Sequence, residues 1–323
     1  MVKAQNIENV GLLQPGTLWQ RVIEQTEWAI AHSALLPIPT DCEFVEQAGI
    51  RFIVRIVANL VRKDEAQKNS KTRQASKASS DPTVSQDKNF NPFLPYEEDL
   101  FVGNLSATHL CLLNKFNVVD HHLLIVTRAF EEQENWLNLR DFEAMWLTLA
   151  QVDGLVFYNA GQSAGASQRH KHLQLVPLPS TSDGVRVPIE SLFGGVKFEH
   201  STNGHRVSTL GLPFCHALIR WEEIAGSPGV AAQVTLERYY TLLRAVDLLE
   251  GEVTGTRQSA SYNLLATREW MLLVPRSQPS FNTIAINSLG FAGALLVRNQ
   301  AQMDILKECS PLTVLQNVAL PCL

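Results

Sequence analysis

NAGQSAGASQRHKHLQLVP, residues 159–177, decides how this chain is read. Its second part, HKHLQLV (170–176), alternates as a strand does, with successive side chains on opposite faces. His170, His172 and Gln174 therefore share one face. Lys171, Leu173 and Leu175 share the other, and the two leucines suit a face covered by a helix. Three hydrogen-bonding groups in a row on an otherwise apolar strand make a candidate site. Just ahead of them, Gly161, Gly165, Ala166, Ser167 and Gln168 form a small-residue loop. Such a loop lets backbone amides approach an anion, and Ser167 and Gln168 add side-chain donors.

Phosphoryl chemistry explains why these residue types belong together. A neutral imidazole is a competent nucleophile toward phosphorus near pH 7, because its ordinary pKa lies close by. While one ring nitrogen attacks, the other donates to an acceptor, commonly a backbone carbonyl, which fixes the tautomer. Gln174 can donate to a phosphate oxygen without being a base, and loop amides can stabilise charge on the equatorial oxygens. Alternating histidines also suit a metal pair. That reading needs a third ligand, which His121, His122 or His216 would supply in space although no spacing singles one out. The motif alone leaves nucleophile, metal pair and structural pair open. By itself GQSAG reads as a turn, and its place ahead of His170 favours the anion cradle.

Outward from this stretch, HLCLLNKF (109–116), HLLIVTR (122–128) and LVFYN (155–159) read as strands. Between them, Asn138 is an N-cap with Asp141 three residues on. Phe142, Met145, Trp146, Leu149 and Val152 mark one helical face, and Gly154 is expected to stop the helix. The acidic runs EEQE (131–134) and WEEI (221–224) read as solvated surface, Trp146 and Trp270 as core, and His205 and His216 as structural. Upstream, 17–34 predicts an amphipathic helix and FIVRIVANLV (52–61) a strand. The polar segment 62–89 has almost nothing to bury and predicts a mobile surface loop. Downstream, HALIRW (216–221), YNLLATR (262–268) and MLLVP (271–275) read as strands and 235–251 as a helix. This echo of the first half suggests a duplicated unit. The fold class expected is α+β, with antiparallel or mixed sheets and helices packed on one face. The division falls near residues 180–200, between 1–185, which carries the histidines, and 186–323.

A chain of 323 residues, 45% hydrophobic, can bury a substantial core. A net charge of −5 without a basic stripe gives nucleic-acid binding no support. The five scattered cysteines include no Cys-x-x-Cys pair, which argues against disulfides and a thiolate zinc site. No signal core or membrane-length apolar run is visible, so a cytosolic enzyme is the default expectation.

The run 165–177 resembles the histidine-triad superfamily, and Gln174 in place of a third histidine resembles its transferase branch. NPFLPYEEDLFV (91–102), NKFNVVDHHLLIVTR (114–128), YNLLATREWMLLVPRS (262–277) and NSLGFAGALLV (287–297) extend the likeness. Together they resemble the diadenosine tetraphosphate phosphorylase (ATP adenylyltransferase) family over most of the chain. The resemblance implies two histidine-triad-like halves, of which only the first keeps active histidines. It implies His172 as the nucleophile that holds AMP, Gln174 on the scissile phosphate oxygens and His170 in support. It further implies substrate binding by Asn159, Gly165, Ala166, Ser167 and Gln168. Asn114 and His122 take ribose-side and supporting positions, with Lys115 beside them as a phosphate contact. The partners implied are diadenosine tetraphosphate, ATP, ADP and phosphate. No tightly bound cofactor and no metal site are implied, although Mg2+ riding in with the polyphosphate is chemically compatible.

Two rivals remain at this stage. A hexose-phosphate uridylyltransferase shares the His-x-His-x-Gln logic, but Lys171 stands where that family usually has proline. A nucleotide-binding sensor would keep the pocket without turnover, against which an intact His172 argues.

Overall fold

The computed structural model describes residues 11–57, 91–179, 186–195, 197–202, 205–221 and 226–322. The loop expected at 62–89 and most of WEEI lie outside these residues. Ten strands form one antiparallel sheet. In chain order they are β3 (Phe101–Asn104), β4 (His109–Leu113), β5 (Leu123–Thr127), β6 (Gly154–Ala160), β7 (His172–Pro177), β8 (Lys197–Thr202), β9 (His205–Thr209), β10 (Ala217–Arg220), β11 (Tyr262–Ala266) and β12 (Trp270–Pro275). Their spatial order is β3-β4-β5-β7-β6-β11-β12-β10-β9-β8. The second five mirror the first five, and the β6–β11 pair joins them at the centre. A smaller mixed sheet contains β1 (Thr40–Gln47), β2 (Ile50–Val57) and, parallel to β2, β15 (Ala294–Val297). A short ribbon pairs β13 (Ser280–Phe281) with β14 (Ile284–Ala285). Among the described residues the α-helices are α1 (Leu18–Ala31), α2 (Leu139–Leu149), α3 (Pro228–Ala245), α4 (Ser288–Phe291), α5 (Gln300–Cys309) and α6 (Pro311–Val318). The fold is α+β.

Alternation along β7 divides its residues between two layers. Leu173 and Leu175 join Phe142, Met145 and Trp146 of α2 and Tyr239, Leu242 and Leu243 of α3 in the core beneath the helices. Each large apolar side chain sealed there contributes about 1.5–3 kcal/mol. Trp146 Nε1 donates to Thr235 Oγ1 at 2.7 Å and ties α2 to α3. The opposite face is covered in two places. Phe157, Leu155 and Val176 pack in one cluster with β2, β15 and the C-terminal helices. Phe93 packs in another with Leu110, Leu112, Leu124 and Val126. His172 and Gln174 lie on this second face.

Some element limits differ from the sequence expectations. The helix begun at Asn138 ends at Leu149, and Gly154 opens β6 instead of stopping that helix. A Cβ at Gly154 would meet Leu175 at 2.8 Å, so the glycine serves close strand packing. The helix expected at 235–251 runs from Pro228 to Ala245, with Ser227 as its N-cap. β2 begins at Ile50 and is described to Val57, with a partner strand, β1, that alternation did not reveal.

Candidate functional site

His172 opens β7 and is only 5% exposed. Its Nδ1 lies 2.8 Å from the His170 carbonyl, which can only accept, so Nδ1 carries the hydrogen. Nε2 is then the bare lone pair and has no partner among the described residues. Burial, opposed by that carbonyl bond, pushes the pKa from 6.5 to about 4. The ring is neutral at pH 7. Phe93 sits 5.3 Å from it and shields one side.

A second chain of bonds orients Gln174. Asn114 Nδ2 donates to His122 Nδ1 at 3.1 Å, which leaves the His122 hydrogen on Nε2. That group donates to Gln174 Oε1 at 3.0 Å. With its oxygen committed, Gln174 turns its amide nitrogen elsewhere as a donor. Burial pushes the His122 pKa down to about 4 as well, so it orients Gln174 as a neutral ring.

The His170 ring is bonded on both nitrogens. Asn91 Nδ2 donates to its Nδ1 at 2.9 Å, and its Nε2 donates to the Thr127 carbonyl at 2.8 Å. Its contribution to His172 is the backbone oxygen. The two histidines of the motif therefore bind different partners. Among the described residues, no three His, Cys, Asp or Glu gather as metal ligands.

Asn159, on β6, is buried. Its Oδ1 accepts from Asn263 Nδ2 at 2.9 Å, Ser288 N at 2.9 Å and Ser288 Oγ at 2.8 Å. All three donors come from the second half of the chain. Beyond it the chain turns sharply, with Gly161 and Gly165 at φ +93° and +89°. A Cβ on Gly165 would meet the Ile286 carbonyl at 2.6 Å, so only glycine lets the loop rest there. The amides of Gly161, Ala164, Gly165 and Ala166 are spent within the turn. Those of Ser167 and Gln168 have no partner among the described residues. Ala166, Ser167 and Gln168 line a cavity of about 440 Å³ with Gln133, Arg169 and Arg257. Lys115 Nζ rests on Glu97 Oε2 at 2.6 Å.

EEQE is not uniformly solvated surface. Gln133 is 2% exposed, and its carboxamide binds the backbones of His172 and Asn159. Glu131 Oε2 lies 3.3 Å from Lys171 Nζ, while Glu132 and Glu134 pair with Arg169 and Arg257. Behind the site, on the helix face, the fully buried Lys171 reaches Asp141 Oδ2 at 2.6 Å, and Asp141 Oδ1 lies 3.1 Å from His109 Nε2. A charged residue at an inward position of a strand was the signal for this cluster. Nothing comparable marked Gln133.

The family model for the Ap4A phosphorylase N-terminal domain matches residues 8–195, and that for the ATP adenylyltransferase C-terminal domain matches residues 210–321. Ap4A is diadenosine tetraphosphate. The Saccharomyces cerevisiae protein diadenosine 5',5'''-P1,P4-tetraphosphate phosphorylase 2 is 29% identical over 280 residues, 81% of each chain. The crystal structure of yeast Ap4A phosphorylase Apa2 superposes with a TM-score of 0.73 at 22% identity, covering 97% of this chain and 96% of that one. Apa2 in complex with Ap4A gives 0.71 at 22% identity, covering 97% and 99%. These likenesses show a shared fold. Matched by the two family models along nearly its whole length, the chain belongs to the Ap4A phosphorylase and ATP adenylyltransferase family.

Proposed function

We propose that this chain catalyses the reversible phosphorolysis of diadenosine tetraphosphate by adenylyl transfer through His172. The observation that carries the reading is the His172 ring, neutral, with Nδ1 anchored on a carbonyl and Nε2 unbonded. In the first step Nε2 attacks the α-phosphorus and the bond to the bridging oxygen breaks. The electron pair leaves with ATP, and AMP remains on the ring. The new imidazolium keeps its Nδ1 hydrogen on the His170 carbonyl, which stabilises the charge. Orthophosphate oxygen then attacks the same phosphorus, the P–N bond breaks, and ADP departs with His172 neutral again.

Gln174 Nε2 is assigned to the non-bridging oxygens of the transferred phosphate, because His122 occupies its carbonyl. The Ser167 and Gln168 amides and side chains are assigned to the leaving polyphosphate. Asn159 offers its Nδ2, since its oxygen is taken. A divalent cation is assigned to the polyphosphate itself.

Incubation with diadenosine tetraphosphate and phosphate should yield equimolar ATP and ADP. Substrate labelled in the adenylyl group should leave an acid-labile, base-stable adduct on His172. His172→Asn should abolish both while largely retaining substrate binding. Release of AMP without phosphate uptake, or turnover by His172→Asn, would overturn the reading.

A further inference from the structure

The ladder between β6 and β7 stops short of the nucleophile. Its last pair is Phe157 with Gln174, and the same register continued would bring Tyr158 opposite Leu173 and then Asn159 opposite His172. Gln133 stands in that place. Its Oε1 accepts from His172 N at 2.9 Å, and its Nε2 donates to the Asn159 carbonyl at 3.0 Å and the His172 carbonyl at 3.2 Å. One carboxamide thus does the work of a missing strand partner and is itself sealed from solvent. The segment carrying it is fastened at both flanks. Gln133 N donates to the Arg169 carbonyl at 2.6 Å, Lys171 N donates to the Glu131 carbonyl at 2.9 Å, and Tyr158 Oη donates to the Gln133 carbonyl at 2.5 Å.

We propose that Gln133 is a positioning residue for the reaction, setting the width of the opening between β6 and β7 and hence where His172 meets the phosphorus. The proposal rests on the function assigned above. A side chain is needed at this point because direct pairing would close the strands over the space between Asn159 and His172. Only an amide suits it. The group must accept from one N–H and donate toward two carbonyls that lie on either side of the gap. Glutamate has nearly the same shape but would point a carboxylate oxygen at both carbonyls. Methionine fills the space and makes none of the bonds. Displacement of a nucleophile by about 1 Å typically costs on the order of 100-fold in rate.

The test is single-turnover adenylylation of the whole protein with labelled diadenosine tetraphosphate. The rate constant for adduct formation is read separately from the burst amplitude, so loss of folded protein lowers the amplitude and leaves the rate constant alone. Gln133→Met and Gln133→Glu should each cut the rate constant by about 100-fold, with substrate KM changed less than about threefold. If Gln133→Met does not fold, Gln133→Glu gives the same reading. Variants that form the adduct within threefold of the wild-type rate would overturn the proposal while sparing the assignment of His172. No adduct on the wild-type protein would overturn both.

Discussion

At the scale of single residues, the state of His172 follows from two neighbours, a carbonyl and a wall of carbon. The carbonyl selects the tautomer and burial keeps the ring uncharged. The proposed nucleophile is therefore in its reactive form well below the ordinary titration range of histidine. The adenylylation rate constant should stay level between about pH 5.5 and 8 and fall only as pH approaches about 4. An acid limb centred at 6.5 in stopped-flow measurements would contradict this. Stability moves in the same direction. His122 and His172 both have folded pKa values below the unfolded 6.5, so the unfolded chain takes up protons first as pH falls. Stability present above 6.5 is lost between about 6.5 and 4, at most on the order of 3 kcal/mol for each ring. Period-two alternation was enough to place His172 and Gln174 on one face and Leu173 and Leu175 on the other. Gln133 was illegible because nothing in EEQE distinguishes an inward glutamine from its outward neighbours. Its role depends on a gap between strands that exists only in three dimensions.

Among the elements, α2 and β7 are joined by a buried ion cluster that the motif reading did not contain. Asn138 caps α2, and Asp141 completes the capping box by accepting from the Asn138 N–H at 2.8 Å. The sequence showed that cap. It did not show that the same carboxylate also takes Lys171 and His109. Burial pushes the Asp141 carboxyl upward, but the His109 bond and the Lys171 charge outweigh it and hold the pKa below the usual range. Both ions of the 2.6 Å pair are fully buried, so removing one strands the other. Lys171→Met should cost about 3–5 kcal/mol in chemical denaturation. Lys171→Met combined with Asp141→Leu should cost at least about 1 kcal/mol less than the sum of the single changes. Additive losses would show that the pair is not energetically coupled. Other elements were missed for local reasons. β3 contains a glycine and a register shift at Phe101/Gly103, and the half-exposed β1 mixes charged with apolar residues on both faces.

Across the whole molecule, the mirrored strand order lets the two halves be compared at the positions of the proposed chemistry. The β6–β7 and β11–β12 ladders end alike, at Gly154–Pro177 and Tyr262–Pro275. Counted from these ends, Trp270 stands where His172 does and Leu272 where Gln174 does. The connections differ too. Residues 161–171 leave room for an anion loop, whereas β11 and β12 are joined by residues 267–269 alone. Yet the second half is not idle. Asn263 and Ser288 occupy the Asn159 oxygen, and the buried Arg276 donates to the Ala164 carbonyl at 3.3 Å, bracing the loop from beneath. β6 itself is buried along its full length and pairs with β11. A fragment of residues 1–195 would present that apolar strand as an open edge and leave Asn159 without its three donors. It should be insoluble or unfolded when expressed alone and form no adduct on His172. Coexpression with residues 196–323 should restore a one-to-one complex, detectable by size exclusion, that labels at His172. A soluble, monomeric 1–195 fragment labelling at the full-length rate would show instead that the first half sustains the site unaided.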